Sequence, residues 1–171
     1  MPTTLPCLWF DGDGLAAAER YVSLFPNSSI TSVAPGPDGS ALLVEFSLDG
    51  RAYLALNGGP QYALSPAFSV QVLCDDQAEV DRYWDALLEG GEESRCGWLT
   101  DRWGVSWQIV PRRLLELRAD PDPGRAERAV RAMLGMRRLV VADLEAAADA
   151  APARPSTVPS GAGVSGSPRA R

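Results

Sequence analysis

The chain has 171 residues, enough for one ordinary domain with a core, and its 46% apolar content suits a globular fold. All 16 basic residues are arginine and there is no histidine, so a His base, a Ser-His-Asp triad, His-ligated metals, a Lys Schiff base and a P-loop are excluded. The net charge of −6 is uneven: residues 1–111 carry fifteen acids and five arginines, whereas 112–138 carry four acids and eight arginines.

An acidic body argues against nucleic-acid binding, which needs a basic footprint. The basic segment reads as one that docks on an acidic domain face. No apolar run approaches the ~18 residues of a membrane span. The N-terminus lacks a basic region followed by an apolar stretch, so no signal peptide is expected and the expected compartment is the cytoplasm. Three cysteines, Cys7, Cys74 and Cys96, form no CxxC and suit reduced thiols there.

In chain order, the first strand is predicted over 5–10, with the turn Asp11-Gly12-Asp13 supplying a helix N-cap. A helix follows, with Leu15, Ala18, Val22 and Phe25 on one face, and Pro26-Asn27 stops it. Strands are predicted over 30–33, 41–48 and 53–56, the last two joined by the two-residue hairpin turn Asp49-Gly50. The pattern then repeats. A strand covers 68–74, Asp76 and Glu79 form a variant capping box, and a helix runs to about Leu88 before Gly90-Gly91. Three short strands follow, through Cys96, around Leu99 and over 105–110. Arg20-Tyr21 of the first helix recurs as Arg82-Tyr83 in the second.

The predicted fold class is α+β: paired βαβββ modules, about 3–57 and 67–111, forming a curved, cupped mixed sheet with helices outside. Residues 112–150 are predicted as a helical extension packing on the domain or on a partner subunit. Its signals are Leu114, Leu115 and Leu117, an N-cap and proline at Asp122-Pro123, the stripe Ala126, Ala129, Val130 and Met133, and a last small element over 139–150. Residues 151–171 are Pro, Ala, Ser, Gly and Arg and are predicted as a disordered tail.

Alternation places Ser69, Gln71 and Leu73 opposite Phe68, Val70 and Val72, and Ser106 and Gln108 opposite Val105, Trp107 and Ile109. If the apolar sets pack on the helices, Gln71 and Gln108 point into the cup. There they either orient a polar ligand or hydrogen-bond each other or water. Tyr53 and Asn57 share one face of their strand, where Asn57 contacts a ligand or merely shapes the turn into Gly58-Gly59. Trp9 and Trp98, with Trp103 and Trp107, offer aromatic walls for a planar ligand or belong to the core. Cys96 is a weak nucleophile candidate without a His partner, or a small buried apolar residue. Glu45 is an acid/base candidate if it faces the cup and inert if it faces solvent. Asp101 reads as a turn former.

The segments Leu8-Trp9-Phe10-Asp11, Tyr21-Val22-Ser23-Leu24-Phe25-Pro26-Asn27-Ser28, Leu54-Ala55-Leu56-Asn57-Gly58-Gly59-Pro60, 96–111 and Asp120-Pro121-Asp122-Pro123 together resemble one known family. The chain is similar, over about 3–150, to the vicinal oxygen chelate superfamily of glyoxalase and bleomycin-resistance proteins. Within it the resemblance is to the subfamily named for 3-demethylubiquinone-9 3-methyltransferase. The resemblance implies the paired-module fold and a homodimer. Metal-dependent relatives would carry a glutamate where Gln108 stands and a histidine near Phe68 or Ser69. This chain departs at both places, so no metal and no cofactor are expected. Gly58-Gly59-Pro60 opens no clear helix and Gly12-x-Gly14 lacks a third glycine, so the methyl-transfer name lacks its expected glycine-rich loop. The expected function is binding of a small polar or aromatic metabolite. Alternatives are an isomerase, lyase or methyl-transfer enzyme and a dimeric interaction module.

Overall fold

The computed structural model describes residues 3–151, so residues 152–171 of the predicted tail lie outside the described residues. The first module runs β1 (Cys7–Phe10), α1 (Gly14–Leu24), β2 (Ser29–Pro35), β3 (Ala41–Leu48) and β4 (Arg51–Asn57). The second runs β5 (Val70–Cys74), α2 (Gln77–Leu88), β6 (Glu92–Glu93), β7 (Trp98–Thr100) and β8 (Ser106–Pro111). Three helices follow: α3 (Arg112–Arg118), α4 (Pro123–Gly135) and α5 (Val141–Asp149). Each module forms a four-stranded mixed sheet of matching topology, β1-β4-β3-β2 and β5-β8-β7-β6. The outer strand of each βαβ unit is parallel to the last strand, and the remaining pairs are antiparallel.

This is the expected α+β pair of βαβββ modules. The mixed sheet is two four-stranded sheets with no ladder between them among the described residues. The inner faces of both sheets share one core. Tyr21 of α1 lies between Phe46 of the first sheet and Trp107 of the second, with ring centroids 6.4 Å and 5.1 Å away. Phe25 stacks on Tyr83 of α2 at 4.8 Å and on Trp107 at 5.6 Å. The helices α1 and α2 therefore face into a core between the sheets, and each sheet turns its other face outward.

Local signals explain most boundaries. Asp49 and Gly50 both take positive φ, 46° and 74°, as the two-residue hairpin requires. Asp76 Oδ1 accepts from the Glu79 N–H at 2.9 Å, and the Glu79 carboxylate reaches back to the Asp75 N–H rather than to that of Asp76. Asp13 caps α1 by position but makes no side-chain cap bond. Its place is taken by Asn57 Oδ1, which accepts from the Gly14 N–H at 2.8 Å. The strand predicted through Cys96 is not formed. Cys96 and Gly97 take φ 60° and 83°, a left-handed turn that leaves only Glu92–Glu93 for β6.

The extension packs on the second module. Leu114, Leu117, Ala129, Leu139, Leu144 and Ala148 form a second buried cluster with Val110, and Leu73 packs against it. The chain is strapped there by backbone bonds from Cys96 N–H to Met136 O and from Gly97 N–H to Arg137 O, at 2.8 and 2.7 Å. The Gln77 side chain bonds both Leu139 O and the Val141 N–H. Arg112 pairs with Asp75, Arg137 with Glu93, and Arg138 with Asp81 and Asp85. The basic segment thus meets an acidic face of its own domain.

Candidate functional site

Strand alternation and register divide the site candidates between the two outward faces and the shared core. On the first sheet, Trp9 pairs with Leu56, and Glu45 pairs with Leu54. These residues stand opposite the buried Leu8, Phe10, Val44, Phe46 and Ala55, so they share the outward face. Glu45 is exposed on it. Trp9 is half-buried, donates its indole N–H to Gly59 O at 2.8 Å and meets Tyr62 edge-on at 5.0 Å. Gly58 lies under that indole, where a Cβ would come within 2.2 Å of Trp9. The Gly58-Gly59 turn is therefore moulded to a tryptophan.

Tyr53 and Asn57 are not on this face. Tyr53 pairs with Phe46 and stacks on it at 5.4 Å, on the side covered by α1, and burial pushes its phenol upward. Asn57 uses its oxygen to cap α1 and its Nδ2 to donate to Ala41 O at 2.8 Å. It ties the helix start to β3 and β4. Odd-numbered positions of β4 point toward the helix, so neither side chain shares the outward face with Trp9 and Glu45.

The second sheet gathers the remaining candidates. Gln71 and Gln108 are direct partners in the parallel ladder of β5 and β8, and Trp98 stands opposite Gln108 across β7 and β8. Gln71 Nε2 donates to Gln108 Oε1 at 3.2 Å, and Gln108 Nε2 donates to Ser69 Oγ at 2.8 Å. The amides thus bond each other, as one of the two sequence readings has it, while the row stays open on its outward side. Trp107 and Ile109, on either side of Gln108 in sequence, are buried at 1% and 0% exposure, which fixes the amide row as the outward face. One row further along, Leu73 and Val110 are covered by the extension. At the other end Ser106 is 2% exposed and its Oγ has no hydrogen-bond partner. An orphaned buried hydroxyl costs about 1–3 kcal/mol.

Cys96 is half-buried in its left-handed turn beside the extension and faces no base, the chain having no histidine. Cys74 is buried in the core, and burial pushes its thiol up to about 12.

Sequence reasoning reached only half of Asp101. Its Oδ1 accepts the N–H groups of Trp103 and Val105 at 2.9 and 3.0 Å, the expected turn-forming role. Its Oδ2 accepts the Tyr21 hydroxyl at 2.6 Å and the Trp107 indole N–H at 2.9 Å. The residue is 4% exposed and joins the first helix to the second sheet. Burial raises its carboxyl above the usual range, against the lowering effect of those four donors. No local pattern marks Tyr21 as its partner, because the two are far apart in sequence.

Clefts of about 450 Å³ beside Asp75, Gln77, Arg113 and Glu145, and of about 510 Å³ beside Asp11, Asp38, Asn57 and Gly59, lie away from the amide row. The row is an open face. Its donor set does not fit a divalent metal: Gln71, Gln108 and Ser69 offer neutral amides and a hydroxyl, with no carboxylate or imidazole beside them. No group of three acid or cysteine side chains suited to a metal occurs among the described residues. The glycines nearest a nucleoside-cradling motif, Gly58-Gly59, are filled by Trp9 and fit no such group.

Residues 2–110 match the family described as 3-demethylubiquinone-9 3-methyltransferase. The chain belongs to this family. The family is glyoxalase-like, and with it the chain falls in the vicinal oxygen chelate superfamily. Among solved structures, a putative 3-demethylubiquinone-9 3-methyltransferase, PhnB protein, from Bacillus cereus is 26% identical. The match covers 64% of this chain and 99% of that one, with a TM-score of 0.60. Protein PA1353 from Pseudomonas aeruginosa is 20% identical over 65% of this chain and 98% of its own, with a TM-score of 0.55. No curated protein matches the chain. The family match ends at residue 110, so the helices α3, α4 and α5 are an addition to the part this chain shares with the family.

Proposed function

We propose that this family member is a binding protein that holds a small polar or aromatic metabolite on the outward face of its second sheet, without a metal ion. The observation that supports this reading is the row Ser69–Gln108–Gln71, a connected set of neutral polar groups on an outward face beside the half-buried Trp98. On a sheet otherwise packed with apolar side chains, such a row supplies orientation to a ligand while the indole supplies contact area. The superfamily hosts several chemistries on one fold, so the site and not the fold carries the argument.

The protein works as a homodimer on this reading. Both outward faces point away from the shared core, and a second copy laid over one of them turns an open face into an enclosed site. The unpaired cysteines suit a reducing compartment, and we place the protein in the cytoplasm, without nucleic-acid or membrane partners. Among the described residues no helix is long and apolar enough to cross a membrane.

Ligand screening by thermal stabilisation tests the reading. A ligand at 100 times its Kd raises stability by about 2.7 kcal/mol. The double variant Q71L/Q108L, which replaces the amides by apolar groups of similar size, loses that shift. A stabilising ligand whose affinity the double variant leaves unchanged refutes the site.

A further inference from the structure

The link between β1 and α1, Asp11-Gly12-Asp13, opens two of the chain's four Asp-Gly pairs, Asp11-Gly12 and Asp13-Gly14. The other two are Asp38-Gly39 and Asp49-Gly50, and Asn57-Gly58 is the one Asn-Gly pair. In such pairs the glycine nitrogen can attack the carbonyl carbon of the preceding side chain, because no Cβ hinders it. The attack needs a free N–H, and the fold treats the five pairs differently. Gly14 N–H donates to Asn57 Oδ1 at 2.8 Å. The N–H groups of Gly39, Gly50 and Gly58 donate to Gly36 O, Asn27 O and Phe10 O, each at 3.0 Å. Gly12 N–H has no partner among the described residues.

Asp11 and Gly12 are both exposed, and the cleft of about 510 Å³ opens beside them, so the side chain has room to turn onto the nitrogen. A Cβ on Gly12 would meet nothing within 4 Å. Two of the other side chains are held as well. Asp38 accepts the Ser40 hydroxyl and N–H, which keep its carboxyl below the usual range and so in the ionised form, the poorer leaving group. Asn57 is bonded at both ends of its amide, and Gly58 lies under Trp9.

We propose that Asp11 is a site of spontaneous isoaspartate formation and that this change unlocks Asn57 for deamidation. The Gly12 nitrogen bonds to Asp11 Cγ, and its proton and the carboxyl's hydroxyl leave as water, closing a succinimide. Water then opens the ring. Cleavage between the nitrogen and Cγ restores Asp11. Cleavage between the nitrogen and the Asp11 main-chain carbonyl carbon leaves the backbone running through Cβ and Cγ, one atom longer, or about 1.5 Å. The lengthened link joins the two partners that hold Asn57-Gly58. Phe10 O accepts from the Gly58 N–H, and Gly14 N–H donates to Asn57 Oδ1. An added atom between Phe10 and Gly14 takes their spacing out of match with that dipeptide. Once freed, the Gly58 nitrogen attacks Asn57 Cγ with loss of ammonia, and water opens that ring in turn.

Warm incubation of the full chain below its unfolding transition, in mildly acidic and in neutral buffer, tests this. Peptide mass spectrometry with fragmentation that separates aspartate from isoaspartate gives the rate at each site. Dividing each rate by the same site's rate in concentrated urea removes the intrinsic reactivity of the dipeptide. The ratio at Asp11 is expected near unity. At Asp13, Asp38, Asp49 and Asn57 it is expected to be lower by about tenfold or more, because a bonded N–H must open first. A ratio at Asp11 no higher than at those sites overturns the assignment. Chains carrying isoaspartate at position 11, separated by chromatography, are expected to deamidate at Asn57 roughly threefold faster or more than unmodified chains, the effect of losing one hydrogen bond. D11E keeps the charge but closes no five-membered ring, and its Asn57 is expected to stay at the slow rate. Equal Asn57 rates in modified and unmodified chains, or fast loss in D11E, overturn the coupling.

Discussion

Asp101 fastens the two modules through one buried carboxylate, and its ionisation makes the joint pH-dependent. In the folded chain burial raises its pKa above the unfolded value of about 3.9. The folded state then holds more protons than the unfolded state between those two values, so this residue's contribution to stability falls as pH rises through that window and is constant above it. D101N lacks this dependence and leaves buried N–H donors facing an NH2 group. Its destabilisation should be about 1–3 kcal/mol. The gap between wild type and D101N in urea unfolding should be widest below about pH 4 and narrow as pH rises. Y21F removes a donor that lowers the Asp101 pKa, so its fall in stability should extend to higher pH than in the wild type. A gap independent of pH would refute the assignment.

Asn57 and Leu139 show the same logic at the level of elements. The side chain of Asn57 caps α1 from the end of β4 and holds β3 at Ala41. N57A should cost about 1–3 kcal/mol in chemical denaturation, the loss of a cap and a second buried bond. Unchanged stability would refute the capping role. Leu139 is 0% exposed at the centre of the extension's cluster, where Gly97 comes close enough that a Cβ would sit 3.0 Å from its side chain. L139A should cost about 2–5 kcal/mol. R138A, which removes ion pairs from a one-third exposed arginine to two more exposed carboxylates, should cost less than about 1 kcal/mol. The extension is therefore held by apolar burial, with its arginines setting orientation, and raising the salt concentration should not detach it.

For the whole molecule, two outward faces and a metal-poor donor set lead to two measurements. Light scattering of purified protein should give twice the chain mass, and a monomer at micromolar concentration would refute the homodimer. Added manganese or zinc should leave the melting temperature unchanged, and EDTA likewise. A metal-dependent rise would show ligands that the amide row does not contain. Much of this architecture is legible in the sequence. The Asp49-Gly50 turn, the Asp76–Glu79 cap and the alternation around Trp107 are local patterns, and local patterns report local backbone geometry. The same alternation by itself puts Gln71 and Gln108 on one face.

The residues 1–111 by themselves determine the two βαβββ modules and their matching order of elements, because strand and helix periodicities are properties of neighbouring residues. The absence of histidine likewise limits the chemistry without reference to shape. Only the tertiary structure decides that Tyr53 and Asn57 belong to the inner face, that Tyr21 meets Asp101, and that the basic segment spends its arginines on its own domain. Those facts depend on which sheet face each helix covers and on contacts between distant segments. Hydrophobic burial chooses those contacts across the whole chain, and no short stretch of residues carries that information.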